Sequence, residues 1–215
     1  MWIALLVVAA SGLTSCSRDV SGSPVKSSAM AVDLGTVLLD PDEIDDVMGT
    51  SGSEVVDEGD APDDTIDADP PECHGLVYIA GEIEYAPTNF TEMRWRIVGA
   101  DNVSSVVEMA AQLPSVANAD EFIDKQAKAW EGCRDEVITS KDKVSGSTTQ
   151  DRVTAVKTRP HTVIASALTE STQVRCQHVL QAVSNVILDV SACGDSVSAP
   201  AEAIASKLAD RVQPG

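Results

Sequence analysis

RVTAVK (152–157), HTVIASAL (161–168), QVRCQHVLQAV (173–183) and NVILDVS (185–191) follow one another along the chain with only short polar or Ser- and Pro-containing breaks between them. All four are rich in β-branched residues, whose side chains suit the pleated surface of a strand. Glu136–Thr139 adds a shorter segment of the same kind just upstream. Consecutive short strands joined by short turns pair most simply as an antiparallel meander, so this stretch predicts the sheet around which the rest must pack.

Upstream of it the period changes. Phe122, Ile123, Gln126, Ala127 and Trp130 fall on one helical face, with Asn118 read as the N-cap, Glu121 three residues on, and Gly132-Cys133 at the end. A second helix opens at Asp40-Pro41-Asp42-Glu43: Asp40 caps, Pro41 suits the first helical position, and Glu43 reaches back to the capping backbone. Ile44, Val47 and Met48 give that helix its apolar face and Gly49 stops it. A third runs from about Pro200 to Val212, with Ala201, Ile204, Ala205 and Leu208 on one side. Leu76–Ile79, Trp95–Val98 and Val103–Leu113, the last alternating imperfectly, read as further strands. The fold class is therefore α+β: an antiparallel sheet flanked by two or three helices.

Aromatic residues make up only 3% of the 215-residue chain against 43% hydrophobic overall, so Val, Ala, Leu and Ile must fill the core. A formal net charge of −19 argues against nucleic acid or a bare anionic membrane as partner, since both carry the same sign. From Asp40 to Glu72 there are many carboxylates and no Lys or Arg; beyond the short helix this reads as an exposed acidic loop, and it lacks the ordered spacing of a calcium-binding EF-hand loop.

The N-terminus sets the compartment. Residues 1–15, MWIALLVVAASGLTS, form an apolar run too short to span a bilayer and ending in small residues, as a signal peptide does. No Lys or Arg precedes the run, so the expected translation start lies a few residues upstream. Leu13-Thr14-Ser15-Cys16 resembles the lipobox of bacterial lipoproteins, which implies cleavage before Cys16 and a diacylglycerol on its thiol. Residues 16–37, rich in Ser, Gly and small residues, read as a flexible tether, and 38–215 as the folded domain. The expected location is the cell membrane, lipid-anchored on its extracytoplasmic side.

Several of these segments together are similar to a known family. The opening Leu38–Glu43 with its Met48-Gly49 end, Pro71-Glu72-Cys73, the helix ending Trp130-Glu131-Gly132-Cys133, Cys176-Gln177-His178, Val183–Ile187 and Ser191-Ala192-Cys193-Gly194 resemble the PknH-like extracellular sensor domain. That family occurs in mycobacteria and their relatives, as the outer domain of receptor Ser/Thr kinases or as stand-alone lipoproteins. The resemblance implies a sheet flanked by helices around a ligand cleft, held by two disulfides, and the stand-alone lipoprotein form is the better match. Four cysteines beyond Cys16 permit three pairings. The resemblance implies Cys73 with Cys133 and Cys176 with Cys193, each stabilising by roughly 3 to 4.5 kcal/mol if the effect is chain entropy.

Cys73-His74 and Cys176-Gln177-His178 lack zinc-ligand spacing, and disulfides would remove any Cys–His nucleophilic pair. No Gly-x-Ser-x-Gly elbow, phosphate-cradling glycine loop or His-Glu-x-x-His occurs, so no catalytic, cofactor or metal residues are expected. A hydrolase would require His161 or His178 to meet a Ser and a carboxylate in triad geometry. Trp130 reads as core, and His161 as a turn residue at a strand entry. The expected function is a cell-envelope lipoprotein whose sensor-like domain binds an unknown small molecule or envelope partner. The alternative is a structural or interaction protein that docks cell-wall components or envelope proteins through an acidic face.

Overall fold

A computed structural model of the chain describes residues 32–99, 104–194 and 200–212. Among the described residues, nine strands lie in one antiparallel sheet: β1 (Glu54–Gly59), β2 (Ile66–Asp69), β3 (Glu92–Gly99), β4 (Ser105–Gln112), β5 (Val137–Asp142), β6 (Thr148–Arg159), β7 (Thr162–Thr169), β8 (Arg175–Val183) and β9 (Val186–Gly194). Their order is β1-β3-β4-β9-β8-β7-β6-β5-β2, so the expected meander runs from β5 to β9 and β4, β3 and β1 extend it past β9. The helices are α1 (Pro41–Met48), α2 (His74–Val77), α3 (Glu82–Tyr85), α4 (Val116–Gly132) and α5 (Pro200–Val212).

The sheet is covered on both faces. Phe122, Ile123, Ala127 and Trp130 of α4 pack with Leu76, Tyr85, Met109, Val163, Leu180 and Ile187 on one side. On the other, Ile204, Ala205 and Leu208 of α5 and Ile44 of α1 pack with Val98, Val106, Ile164, Val179, Leu188 and Val190. Central strand β9 is buried on both faces over Val186–Val190, which is why NVILDVS reads as a nearly continuous apolar run rather than an alternating one.

Four expectations are corrected. Leu76–Ile79 is not a strand: His74–Val77 form α2, following a 3-10 turn at Pro71–Cys73. A short apolar run has no period long enough to separate strand from buried helix, and here the bridge at Cys73 and the bonds of His74 fix the helical choice. The acidic stretch is not simply a loop, because β1 and β2 lie within it at opposite edges of the sheet. Edge strands have one side open to water, so charge suits them and hides them from a hydrophobic pattern. The cap of α4 is Ser115, whose Oγ accepts the Asn118 N–H at 3.2 Å, three residues before the expected start. Packing also begins earlier than residue 38: Leu34 and Val37, assigned to the tether, are fully buried beside a 3-10 turn. Cys16 and the signal-peptide segment lie outside the described residues.

The expected cap of α1 forms, with the Asp40 N–H donating to Glu43 Oε2 at 3.0 Å. Both cysteine pairs are joined, Cys73–Cys133 with Cα atoms 5.9 Å apart and Cys176–Cys193 with 4.1 Å.

Candidate functional site

Where α2 stands on the sheet, beyond the end of α4, the floor is made of small side chains. The register places Ala165, His178 and Ser191 side by side across β7, β8 and β9, and Ala167, Cys176 and Cys193 in the adjacent row. Residues two apart in a strand share a face, so both rows point the same way. The preceding row carries Val163 and Leu180, which fill the space under α4; alanine, serine and a disulfide do not. The result is a recess of about 70 Å³ lined by these residues together with Leu76, Val77 and Asp151.

A buried polar network fixes α2 at the rim. Nδ1 of His178 lies 2.7 Å from the Leu76 carbonyl, which can only accept, so Nδ1 carries a proton and donates it. Nε2 of the same ring meets Asp189 Oδ1 at 2.5 Å, and the Tyr85 hydroxyl donates to Asp189 Oδ2 at 2.7 Å. The Trp130 ring packs on the imidazole with centroids 4.5 Å apart. Both nitrogens of His178 are thus engaged, and neither is available to Ser191 as a general base. A second buried pair secures the other end of the segment: His74 Nδ1 lies 2.9 Å from Glu84 Oε2, and Nε2 donates to the Ile66 carbonyl at 3.1 Å. Burial alone would push the His74 imidazole down, but the Glu84 carboxylate and the Ile66 carbonyl outweigh it and the net shift is upward.

Asp151 gives the recess its one carboxyl. Its Oδ1 accepts the Thr169 hydroxyl at 2.6 Å, and burial pushes its titration up from the usual carboxylate range. His161 is placed elsewhere, exposed at the β6–β7 turn with Nδ1 2.7 Å from Asp120 Oδ1, in an open polar groove of about 470 Å³ that also includes Gln181, Ser184 and Asp210. A third concavity, also about 470 Å³, is lined by Arg94, Trp95, Arg96, Glu58 and Asp60. Trp130 is core, 1% exposed. Sequence reasoning named the cysteines but missed Ala165, Ala167, Ser191 and Asp151. The available signal was the pairing of small residues two apart, Ala165-x-Ala167 and Ser191-x-Cys193, in strands otherwise filled by larger apolar side chains.

The model of the family described as PknH-like extracellular domain matches residues 29–211, and so takes in the whole sheet, all five helices but the last residue of α5, and the recess. The chain belongs to this family. It is 27% identical over 219 residues to the serine/threonine-protein kinase PknH of Mycobacterium bovis, a match covering 98% of this chain and 36% of that protein. Against PknH of Mycobacterium tuberculosis it is 28% identical over 188 residues, covering 83% and 29%. The chain therefore spans about a third of the length of these kinases. The crystal structure of the extracellular domain of PknH from Mycobacterium tuberculosis superposes with a TM-score of 0.78 at 27% identity, covering 83% of this chain and 94% of that one. As a PknH-like extracellular domain, the chain shares its fold with the sensor-type part of a kinase. Among the described residues no helix is long and apolar enough to cross a membrane.

Proposed function

We propose that this protein is a non-catalytic, extracytoplasmic sensor-type module that binds a small ligand in the recess between α2 and strands β7–β9. The observation that carries the reading is the pair of rows of small side chains beneath α2, bounded by one carboxyl and one hydroxyl that a ligand can reach. A pocket for a whole drug-sized molecule is typically ~300 Å³ or more, so a recess of this size takes the end of a ligand and leaves its body over the Cys176–Cys193 bridge. Asp151 and Ser191 select an end that donates a hydrogen bond. His178 supplies a ring wall and holds α2, but has no free nitrogen to offer.

The same reading makes the chain a lipoprotein, anchored through Cys16. It is supported by the lipobox-like Leu13–Cys16 and by the extracellular character of the family. Cys16→Ala is expected to move the protein from the membrane to the soluble fraction in its native host, as checked by fractionation and immunoblot; continued sedimentation with membranes refutes the anchor. For the recess, a panel of small hydrogen-bond-donating fragments followed by amide NMR shifts is expected to perturb Ala165, Ala167 and Ser191. Ala167→Trp, which fills the hollow from a half-buried position, is expected to abolish those shifts while leaving the fold intact. Shifts that survive it place binding elsewhere.

One observation favours the docking alternative. Edge strand β1 bears Glu54, Asp57 and Glu58 beside Val56, which is 69% exposed, and among the described residues pairs only with β3. Binding lost on substitution of these residues, and unaffected by Ala167→Trp, would establish that reading instead.

A further inference from the structure

The two disulfides differ in access. Cys73 and Cys133 are 1% and 0% exposed within the core under α4. Cys176 and Cys193 are half-buried, and their bridge forms part of the recess wall.

They also differ in what depends on them. Cys73–Cys133 spans 60 residues and ties the start of α2 to the end of α4, elements far apart in sequence with no shared ladder of hydrogen bonds to fix their relative position. Cys176–Cys193 joins residues that already face each other in a β8–β9 ladder of nine opposed pairs, flanked by β7 and β4. Sheet hydrogen bonds keep that register without the sulfur link, so the bridge can open while the strands stay aligned.

A third feature gives the bond a direction. The Ser191 hydroxyl lies 3.9 Å from Cys193 Sγ, and a disulfide sulfur has no proton, so the hydroxyl is the donor. A donor placed there favours negative charge collecting on Cys193 as the bond breaks.

We propose that Cys176–Cys193 is a thiol-exchange site that takes low-molecular-weight thiols. The thiolate of the small thiol attacks Cys176 Sγ, and a new S–S bond joins them. The Cys176–Cys193 bond breaks with its electron pair on Cys193, whose thiolate is met by Ser191 and takes a proton from water. That step is exchange and needs no further reagent. A second equivalent of the same thiol then attacks the small-thiol sulfur of the mixed disulfide, releasing the oxidised small-molecule disulfide and leaving both cysteines reduced. The proposal goes beyond ligand binding and does not require it, so failure of fragments to enter the recess leaves it standing.

The test uses the full chain carrying Cys16→Ser, treated without denaturant with 2-mercaptoethanol, quenched with iodoacetamide at intervals and mapped by peptide mass spectrometry. Mercaptoethanol on Cys176 and alkylation on Cys193 are expected at least about tenfold faster than any label on Cys73 or Cys133, because access limits the attack. The far-UV circular dichroism is expected to stay constant meanwhile. Ser191→Ala is expected to slow the opening several-fold, with Ser191→Thr restoring it. Opening of Cys73–Cys133 first or in step, a mixed disulfide on Cys193, or loss of the folded spectrum as Cys176–Cys193 opens would each overturn the proposal.

Discussion

Glu108 shows how one side chain sets a pH response. It is fully buried on β4, with Oε2 accepting the Leu39 N–H at 3.1 Å and no hydrogen-bond partner for Oε1 among the described residues. Arg96, its partner across β3, donates from Nη1 to the Leu39 carbonyl, and Arg211 donates to the Leu38 carbonyl and pairs with Glu43. Desolvation nonetheless outweighs the hydrogen bond and the nearby arginines, and holds the carboxyl at about 7. Between the ordinary value of 4.5 and that point the native state keeps a proton that the unfolded chain has released. Stability therefore falls as pH rises across this window, by about 3 kcal/mol. The raised imidazole of His74 works in the same direction above 6.5. Thermal melts of Glu108→Gln are expected to lose most of the decline that the wild type shows from about pH 5 to 7, because the amide still accepts from Leu39 and has nothing to ionise. An unchanged slope would mean that Glu108 is ionised throughout. The sequence carried a trace of this residue: Val103–Leu113 alternates imperfectly because a carboxyl occupies a buried-face position between Val106 and Ala110.

At the scale of the element, the segment from Cys73 to Tyr85 combines apolar burial at Leu76, Ile79, Ala80 and Tyr85 with a set of buried polar bonds. Its two helices have only four residues each, too short to persist unaided. The Cys73 bridge, the His74–Glu84 pair, the His178 bond to the Leu76 carbonyl and the Tyr85–Asp189 bond keep it on the sheet. Gly81 is required by that packing, since an added Cβ would lie 2.4 Å from Glu84 Oε2 and 2.6 Å from the His74 ring. Gly81→Ala is thus expected to separate the pair and destabilise the domain by about 1–3 kcal/mol in denaturant unfolding, with the His74 titration moving down when followed by NMR. Tyr85→Phe, which removes a buried donor from Asp189, is expected to cost a similar amount, about 1–3 kcal/mol. Apart from the Cys73 bridge, which the family resemblance implies, none of this is legible in the sequence. A bond such as that from the His178 ring to the Leu76 backbone carbonyl, 102 residues apart, leaves no periodic signal, so the run reads as a strand.

Over the whole molecule, legibility followed the amount of local information. Strands β5 to β9 announce themselves because each is rich in β-branched residues and the turns between them are short; α1, α4 and α5 do so through amphipathic faces and end signals. The edge strands β1 and β2 were lost in an acidic background, and the cysteine pairing came from resemblance rather than from spacing. The recess was invisible as a site because it is an absence of bulk at Ala165, Ala167 and Ser191, which only the register brings together. That arrangement lies on a sheet packed by helices on both faces, a rigid setting for the proposed ligand recess beside α2.

Crystals of the protein soaked with small hydrogen-bond-donating fragments test the central claim most directly. Density is predicted against Ala167 and Ser191, with a donor directed at Asp151 and α2 still held by His178. An empty recess, with fragments confined to the grooves beside His161 or Trp95, would contradict it.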